Sequence, residues 1–179
     1  MLPFFRANVS KRHLDIGCGT GYFLEHGNIP FDAEVTLCDL NPNCLEKSKA
    51  RFGRVNTKCL LHNIFQPLPS DAGPYDSISM FYLLHCLPGP VSRKCDIFRH
   101  LKYSLSPDGV IYGSNVLGPT GNHTWYSRLA LKRLNYLKHM DNMGDTRAAF
   151  EVALNDNYHE VETKCVGALF LFRAQRPKL

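Results

Sequence analysis

The residues with the clearest chemical potential are an acid and three glycines near the amino terminus. In the tract HLDIGCGTGY, Asp15 precedes three alternating glycines, which are Gly17, Gly19 and Gly21. Glycines after a strand permit a tight turn and let a ligand approach the main chain closely. A dinucleotide-binding turn requires glycine at the sixth position of the motif, where this chain has Tyr22. The spacing therefore fits Gly-x-Gly-x-Gly and does not fit Gly-x-Gly-x-x-Gly.

Two acids indicate which ligand this turn accepts. A carboxylate at Asp15 would repel a pyrophosphate seated at the adjacent helix terminus and attract an ammonium group. Asp39 ends the next strand-like stretch, roughly 20 residues beyond the glycines, where an acid accepts hydrogen bonds from ribose hydroxyls. S-adenosylmethionine satisfies both conditions, because it has a ribose and a positive charge and lacks phosphate. The structural alternatives are that Asp15 caps local backbone and that Asp39 is a turn residue at a strand end.

Strand and helix patterns alternate along the chain, which is typical of a parallel sheet covered by helices. The predicted strands are residues 13–17, 34–39, 56–62, 75–82, 110–116, 161–166 and 168–172. The predicted helices are residues 22–26, 42–52, 91–105, 124–140 and 147–155. Gly167 lies between the last two strands and allows the tight return of an antiparallel hairpin. No repeat or linker divides these elements, so one domain over residues 1–179 is expected.

Apolar periodicity predicts which side chains are buried. The inward stripes are expected to consist of Ile97, Leu101 and Leu105 in one helix and of Leu129, Leu134 and Leu137 in another. Cys38 and Cys59 lie in apolar strand-like stretches, where a thiol behaves as a small buried hydrophobe.

The composition is that of an ordinary globular chain, with 179 residues, 44% hydrophobic and 21% charged. No apolar stretch approaches the roughly 18 residues that cross a bilayer, and the opening residues lack a secretory signal, so no membrane partner is expected. The net charge of +5 is too mild for a typical nucleic-acid binder. Seven cysteines without a Cys-x-x-Cys pair indicate reduced thiols in a cytoplasmic protein and no metal site.

Several tracts of this chain resemble those of class I S-adenosylmethionine-dependent methyltransferases. They are LDIGCGTG at residues 14–21, LCDLN at 37–41, DSIS and LLHCLPG at 76–79 and 83–89, and LSPDGV at 105–110. Residues 82–89 particularly resemble the compact type 12 small-molecule methyltransferases. The resemblance covers residues 14–173. It implies an α/β, Rossmann-like, doubly wound and mostly parallel seven-stranded sheet, with a C-terminal antiparallel hairpin and helices on both faces.

The resemblance also assigns cofactor contacts. It implies that the glycine turn packs against the amino-acid part of S-adenosylmethionine, with Asp15 acting on the ammonium and Asp39 on the ribose diol. Leu40 is expected against the adenine, with Asn63 and Ile64 at its edge, although Asn63 is alternatively a turn residue after the third strand. The full predicted cofactor set is Asp15, Gly17, Cys18, Gly19, Gly21, Asp39, Leu40, Asn63, Ile64 and Tyr82.

The acceptor is expected at the carboxyl ends of the fourth and fifth strands, where open α/β sheets bind ligands. Methyl transfer requires the acceptor nucleophile and the methyl group to be held in line in a water-poor pocket. His85 is the candidate general base for a hydroxyl or a protonated amine, and its alternative is a structural histidine. The predicted acceptor pocket consists of Phe81, His85, Trp125, Tyr126 and Arg128, although burial of an apolar helix face explains the last three equally well.

The predicted function is therefore methyl transfer from S-adenosylmethionine to an oxygen or nitrogen of a small-molecule acceptor. About a dozen residues precede the first strand, where the resembled family carries lid helices, so the lid is expected from residues 118–144 or from a partner subunit. A homodimer is compatible with this. The alternative is a non-catalytic cofactor-binding or assembly subunit with the same fold. A nicotinamide-dependent oxidoreductase is disfavoured, since it needs glycine at position 22 and has no use for Asp15.

Overall fold

A computed structural model describes all residues, 1–179, of the chain. The strands are β1 Arg12–Ile16, β2 Glu34–Asp39, β3 Lys58–Leu61, β4 Tyr75–Phe81, β5 Leu105–Val116, β6 Tyr158–Val166 and β7 Leu169–Pro177. The α-helices are α1 Leu2–Arg6, α2 Tyr22–His26, α3 Pro42–Phe52, α4 Val91–Leu101, α5 Trp125–Tyr136 and α6 Arg147–Asn157. Two short 3-10 turns span Leu84–Cys86 and Lys102–Ser104.

The seven strands form one sheet in the order β3-β2-β1-β4-β5-β7-β6. Strands β1 to β5 are mutually parallel, and β7 runs antiparallel between β5 and β6. Because β1 pairs with β2 on one side and with β4 on the other, the strand order reverses at β1. In such a sheet a crevice opens outside the carboxyl ends of the strands at that reversal. The predicted fold class is confirmed.

Helices cover both faces of the sheet and create two apolar cores. The larger core joins α4 and α6 to the sheet and includes Ile78, Ile97, Phe98, Phe150, Leu154 and Phe172. The smaller core lies under α1, α2 and α3 and includes Phe5, Leu24, Leu37, Leu45, Phe81 and Tyr112. None of the helices has the length and apolar character needed to cross a membrane.

Helix α1 was not predicted from the sequence, because five residues are too few to show a helical period. It begins with a proline in its first turn and buries Phe5 completely. The Phe5 ring lies 5.6 Å from that of Phe23 and 5.8 Å from that of Phe81, measured between centroids. Helix α1 therefore closes the smaller core beside the glycine turn.

The predicted hairpin is confirmed at Gly167, which has a φ of +60°. Val166 pairs with Leu169 directly across this turn. The predicted helix over residues 91–105 is too long, since α4 ends at Leu101 and Leu105 already pairs with Tyr75 as part of β5. Leu105 is buried as expected, but in a strand.

Two burial predictions are wrong. Leu129 on α5 is 64% exposed and Leu137, directly after its last residue, is 46% exposed, whereas Leu131 on α5 is buried. The face with Leu131 turns inward because Asn135, one helical turn further on, exchanges hydrogen bonds with Asn142 at 2.8 and 3.1 Å.

The burial of the two cysteines depends on the position of their strands in the sheet. Cys38 is buried in β2 as predicted, but Cys59 is exposed, because β3 lies at the sheet edge.

Candidate active site

The glycine turn connects β1 to α2 and requires glycine for two separate reasons. Gly17, Gly19 and Gly21 all have positive φ angles of 69°, 53° and 75°, a region that other residues rarely adopt. In addition, a Cβ on Gly17 would lie 2.7 Å from Leu83 Cδ1, so the turn packs tightly against the residues that follow β4. The sequence therefore folds the turn directly beside the β4 end.

A cavity of about 240 Å³ lies next to this turn. It is lined by Ile16, Gly17, Cys38, Asp39, Leu40, His62, Asn63, Ile64, Phe65, Leu83, Leu87, Pro88 and Arg93. These residues come from the carboxyl ends of β1 and β2, from the segments after β3 and β4, and from the start of α4. The walls are mostly apolar, and the polar side chains among them are Asp39, His62, Asn63 and Arg93. This is the composition of a site for a flat, partly apolar ligand.

Asp39 provides the carboxylate of the cavity. Its Oδ1 accepts the Asn41 N–H at 2.9 Å, and its Oδ2 lies 3.4 Å from the Gly19 N–H. A carboxylate has about four acceptor positions, so both oxygens keep capacity for hydroxyl donors of a ligand. The Cys18 thiol also lies 4.0 Å from Asp39 Oδ2, so Cys18 and Gly19 flank the acid rather than the cavity.

Asp15 lies deeper, on β1, and is 5% exposed. Its Oδ1 accepts the Ser79 hydroxyl at 2.5 Å. Burial raises the pKa of Asp15 to about 7, the Ser79 hydrogen bond opposes this rise, and the nearby Asp39 carboxylate adds to it. The charge of Asp15 therefore depends on pH in the neutral range and is favoured by any cation placed beside it.

The raised pKa of Asp15 predicts a stability gain on its neutralisation. Because the folded-state pKa lies above that of the unfolded chain, stability is lost as pH rises from the ordinary value toward about 7. A pKa difference of one corresponds to about 1.4 kcal/mol. We therefore expect Asp15→Asn to raise the Tm of the ligand-free protein by several degrees at pH 8 and by much less at pH 5. Asp32→Asn, at an exposed acid, is the control. A lower Tm for Asp15→Asn at pH 8 would contradict the assigned environment.

The remaining cofactor candidates divide into two groups. Leu40, Asn63 and Ile64 line the cavity together with Gly17 and Asp39. Asn63 also acts as a turn residue, since its Oδ1 accepts the Phe65 N–H at 3.1 Å, which leaves its amide nitrogen free. Tyr82 does not line the cavity. It adopts a φ of +55°, is 42% exposed, and its ring centroid lies 6.2 Å from that of His85.

His85 lies in the 3-10 turn after β4 and is held by a buried polar network. Its Nδ1 is 3.1 Å from Asn115 Oδ1, and Asn115 Nδ2 donates to Asp145 Oδ2 at 3.2 Å. The Asp145 carboxylate can only accept, so it fixes the Asn115 amide with its oxygen toward His85. His85 Nδ1 then carries the proton and donates it, and Nε2 holds the lone pair. The Val116 N–H also donates toward Nδ1, at 3.4 Å, and so opposes this tautomer, but the Asn115 contact that favours it is the shorter of the two.

The Nε2 atom of His85 is the reactive end of this network. Burial lowers the pKa of His85, with the Asn115 hydrogen bond acting in the opposite direction, so the imidazole is neutral near pH 7. No protein atom forms a hydrogen bond with Nε2. The buried side-chain atoms without a partner are Ser48 Oγ, His100 Nδ1, Tyr112 OH and Ser114 Oγ, and Nε2 is not among them. A neutral nitrogen with accessible surface can take a proton from an acceptor.

The other predicted acceptor residues are not gathered around His85. Phe81 does not line the cavity, since its ring is buried between α1 and the sheet, stacked on Phe23 at 4.4 Å, and its role toward an acceptor stays a prediction. Trp125 and Tyr126 are 79% and 61% exposed on the first turn of α5, and Arg128 is exposed on the same helix. None of these three residues lines the cavity, and neither does His85.

Sequence reasoning missed several cavity residues, among them Phe65, Leu87 and Arg93. The Arg93 guanidinium lies over the Phe65 ring at 4.0 Å from its centroid, which forms the outer wall. Arg93 lies in the first turn of α4 and belongs to no recognisable motif, so only the fold brings it here. A larger groove of about 410 Å³ lies at the opposite, amino ends of the strands, between Arg12, Lys58 and Tyr75. It is distant from the glycine turn and from both acids.

The fold and this cavity define a class I methyltransferase domain, and comparison with known proteins agrees. A family model described as a methyltransferase domain matches residues 2–157. The chain belongs to this family, which confirms the predicted enzyme class. The narrower likeness to the type 12 group stays a prediction.

Relatives of known name align along the whole chain. It is 46% identical to the N-methyltransferase vrtF of Penicillium aethiopicum over all of the chain and 75% of that protein. It is 43% identical to the physcion biosynthesis cluster O-methyltransferase of Aspergillus chevalieri over all of the chain and 81% of that protein. Among solved structures, the N-methyltransferase NodS of Bradyrhizobium japonicum, in complex with S-adenosyl-L-homocysteine, superposes with a TM-score of 0.71. That match has 16% identity and covers 99% of this chain and 84% of NodS, so it supports the fold.

Proposed function

We propose that this protein transfers the methyl group of S-adenosylmethionine to an oxygen or nitrogen of a small-molecule acceptor. The observation that carries the proposal is the pair of acids at the sheet reversal. The Asp39 carboxylate lines a mostly apolar cavity. Asp15 lies beneath the adjoining glycine turn and interacts electrostatically with Asp39. One carboxylate on the cavity wall and a second buried beneath the adjoining turn favour a cationic nucleoside over a diphosphate. The names of the two fungal relatives, an N- and an O-methyltransferase, support the choice of acceptor atoms.

The residues present fit this cofactor. Asp39 would accept the ribose hydroxyls, and Leu40, Ile64 and Phe65 would contact the adenine across the apolar part of the cavity. Asn63 has a free amide for the adenine edge, and Asp15 would stabilise the ammonium. When bound, S-adenosylmethionine would supply a methyl group on a sulfonium, from which a neutral thioether departs readily. The protein then has to hold the acceptor in line and exclude water.

His85 would act on the acceptor. Its Nε2 would take the proton of a hydroxyl or an ammonium while the neutral Nδ1–H stays donated to Asn115. The Asn115 and Asp145 side chains act as positioning residues, because they hold the tautomer in which Nε2 is the base.

The proposal also includes the location and the partners of the protein. We propose that it works in the cytoplasm, on small molecules and not on nucleic acid.

To test the proposal, the protein is incubated with methyl-labelled S-adenosylmethionine and panels of phenols, carboxylic acids and amines, and the labelled products are identified. We expect label in at least one organic acceptor class and thermal stabilisation by S-adenosylhomocysteine but not by nicotinamide dinucleotides. Stabilisation by the dinucleotides, or label found only in water as methanol, would contradict the proposal.

For His85→Gln we expect kcat to fall about 100-fold with a hydroxyl acceptor, since general-base catalysis is worth about 10²–10⁴. Binding of S-adenosylhomocysteine, measured by calorimetry, should stay as in the parent. His139→Gln, at an exposed histidine after α5, is the matched control. If kcat of His85→Gln equals that of the parent, His85 is a structural residue.

A further inference from the structure

A row of four buried polar side chains lies beneath the glycine turn, and the proposed function uses only one of them. Strands β1 and β4 pair in parallel, with His13 opposite Ser77 and Asp15 opposite Ser79. Since side chains alternate along a strand, all four point to the same face of the sheet. His13, Ser77 and Ser79 are completely buried, and Asp15 nearly so. Polar groups buried in this way cost free energy unless they are hydrogen-bonded.

Hydrogen bonds link the row in one direction. The Ser10 N–H donates to Ser77 Oγ at 2.9 Å. Ser77 Oγ lies 2.8 Å from His13 Nδ1. The Ser77 hydroxyl hydrogen has an acceptor when Nδ1 carries the lone pair. His13 Nε2 then carries the proton and donates to Ser79 Oγ at 3.3 Å, which leaves the Ser79 hydrogen for Asp15.

The opposite direction is less favourable. It would need a protonated Asp15 donating to Ser79, and Ser79 donating to His13 Nε2. His13 Nδ1–H would then donate to Ser77 Oγ, which would accept from both this group and the Ser10 N–H. The Ser77 hydrogen would have no acceptor among the hydrogen bonds of the structure. The complete chain of donors therefore ends on an ionised Asp15.

We propose that His13 is a positioning residue for cofactor binding: its Nε2–H orients the Ser79 hydroxyl, and Ser79 in turn holds Asp15 as a carboxylate for the cofactor ammonium. This inference rests on the proposed function, because it assigns the ammonium to Asp15. His13 itself stays neutral, since burial lowers its pKa to about 3. It therefore acts as a hydrogen-bond donor of fixed tautomer, and Asp15 is the group that titrates.

Other groups around Asp15 do not replace this donor. Asp39, at the end of β2, raises the pKa of Asp15, and the thiols of Cys18 and Cys38 interact with both acids. The Tyr112 hydroxyl on β5 is buried without a partner. Phe5 covers His13 edge-on, at 5.6 Å between ring centroids. Ser79 alone donates to the Asp15 side chain, so the proton order of this row acts directly on the ionisation of Asp15, against the effects of burial and of Asp39.

The test measures the affinity for S-adenosylhomocysteine by calorimetry between pH 6 and pH 9. Binding to the parent should strengthen as pH rises through about 7, where Asp15 ionises. His13→Leu removes the Nε2–H donor and replaces the ring with an apolar side chain of similar size. We expect it to raise the midpoint of the pH dependence of affinity by about one pH unit. Affinity would then be about tenfold lower at pH 6.5 and near that of the parent at pH 9.

His13→Gln is the rescuing variant, because its amide can donate to Ser79 from about the position of Nε2. Its pH midpoint should return toward that of the parent. If His13→Leu and His13→Gln both lower affinity equally at every pH, or neither changes it, His13 has only a packing role and the inference is wrong. Asp15→Asn separates the two claims. If its affinity for S-adenosylhomocysteine equals that of the parent, the ammonium assignment of the proposed function fails, whatever His13 does.

Discussion

Asp39→Ala is expected to weaken S-adenosylhomocysteine binding about 100-fold or more, with the Tm of the ligand-free protein unchanged within a few degrees. A hydrogen bond to a charged group is worth about 1.5–3 kcal/mol, and 1.4 kcal/mol is a factor of ten in affinity. Two such bonds from a ribose diol account for the expected loss. The side chain is half-buried, and its two protein donors, the N–H groups of Asn41 and Gly19, belong to turns near solvent. Calorimetric titration at pH 8 measures the effect.

Asp32→Ala provides a matched control for this prediction. It removes the same charge from an exposed site, where Asp32 pairs with Lys11 at 2.6 Å, at the amino ends of the strands. Affinity should therefore be unchanged. Asp39→Asn should bind with intermediate affinity, since it keeps one acceptor oxygen and loses the charge. Parent-like affinity of Asp39→Ala would remove the ribose assignment and with it the main support for the cofactor site.

Those parts of the fold whose signal is local were predicted well from the sequence. The bounds of α2, β2 and α3 agree with the predicted residues 22–26, 34–39 and 42–52. Each has a clear local cause, such as Pro42 in the first turn of α3 and the Asn41 side chain that caps it. The glycine turn and Asp39 were predictable for the same reason, because strand ends and turn residues are written into the sequence over a few positions.

The predictions that differ from the structure concern the packing of one element against another, which decides which side chains are buried. A periodic stripe on α5 shows that the helix is amphipathic, but the hydrogen bonds between Asn135 and Asn142 decide that Leu131 turns inward. Phe81 stands at a strand end near the site, yet α1 covers it, and α1 has no periodic signal of its own. Tertiary packing overrides local pattern in both cases.

The buried polar row shows a third limit. His13 and Asp15 are two residues apart on one strand, and Ser77 and Ser79 have the same spacing on another. That alternation is visible in the sequence, but the β1–β4 register that brings them opposite each other is not. The same holds for Lys94 on α4, whose sequence position resembles that of any surface lysine.

Lys94→Met is expected to destabilise the protein by about 3–5 kcal/mol, the usual result of leaving one partner of a buried ion pair uncompensated. Lys94 is completely buried, and its Nζ donates to Asp145 Oδ1 at 2.8 Å, to Asp145 Oδ2 at 3.0 Å and to the Asp141 carbonyl at 2.5 Å. It therefore joins α4 to the segment after α5. In a domain of 150–250 residues, 1 kcal/mol changes Tm by about 2–4 °C, so thermal unfolding at pH 7 measures the loss.

The double variant Lys94→Met/Asp145→Asn tests whether the unpaired charge is the cause. The amide introduced by Asp145→Asn would be neutral and would still accept the Asn115 amide hydrogen, as Asp145 does in the parent at 3.2 Å, so most of the lost stability should return. The ion pair of Arg99 with Asp96 on the same helix is the control, because both side chains are more than half exposed and Arg99→Ala should leave Tm unchanged. If the double variant is no more stable than Lys94→Met, packing of the lysine stem rather than charge pairing holds α4 in place.

The same double variant also bears on His85. Residue 145 holds the Asn115 amide, and with it the His85 tautomer, only while it can accept the Asn115 amide hydrogen. We therefore expect kcat to fall less in the double variant than in an Asp145→Leu variant.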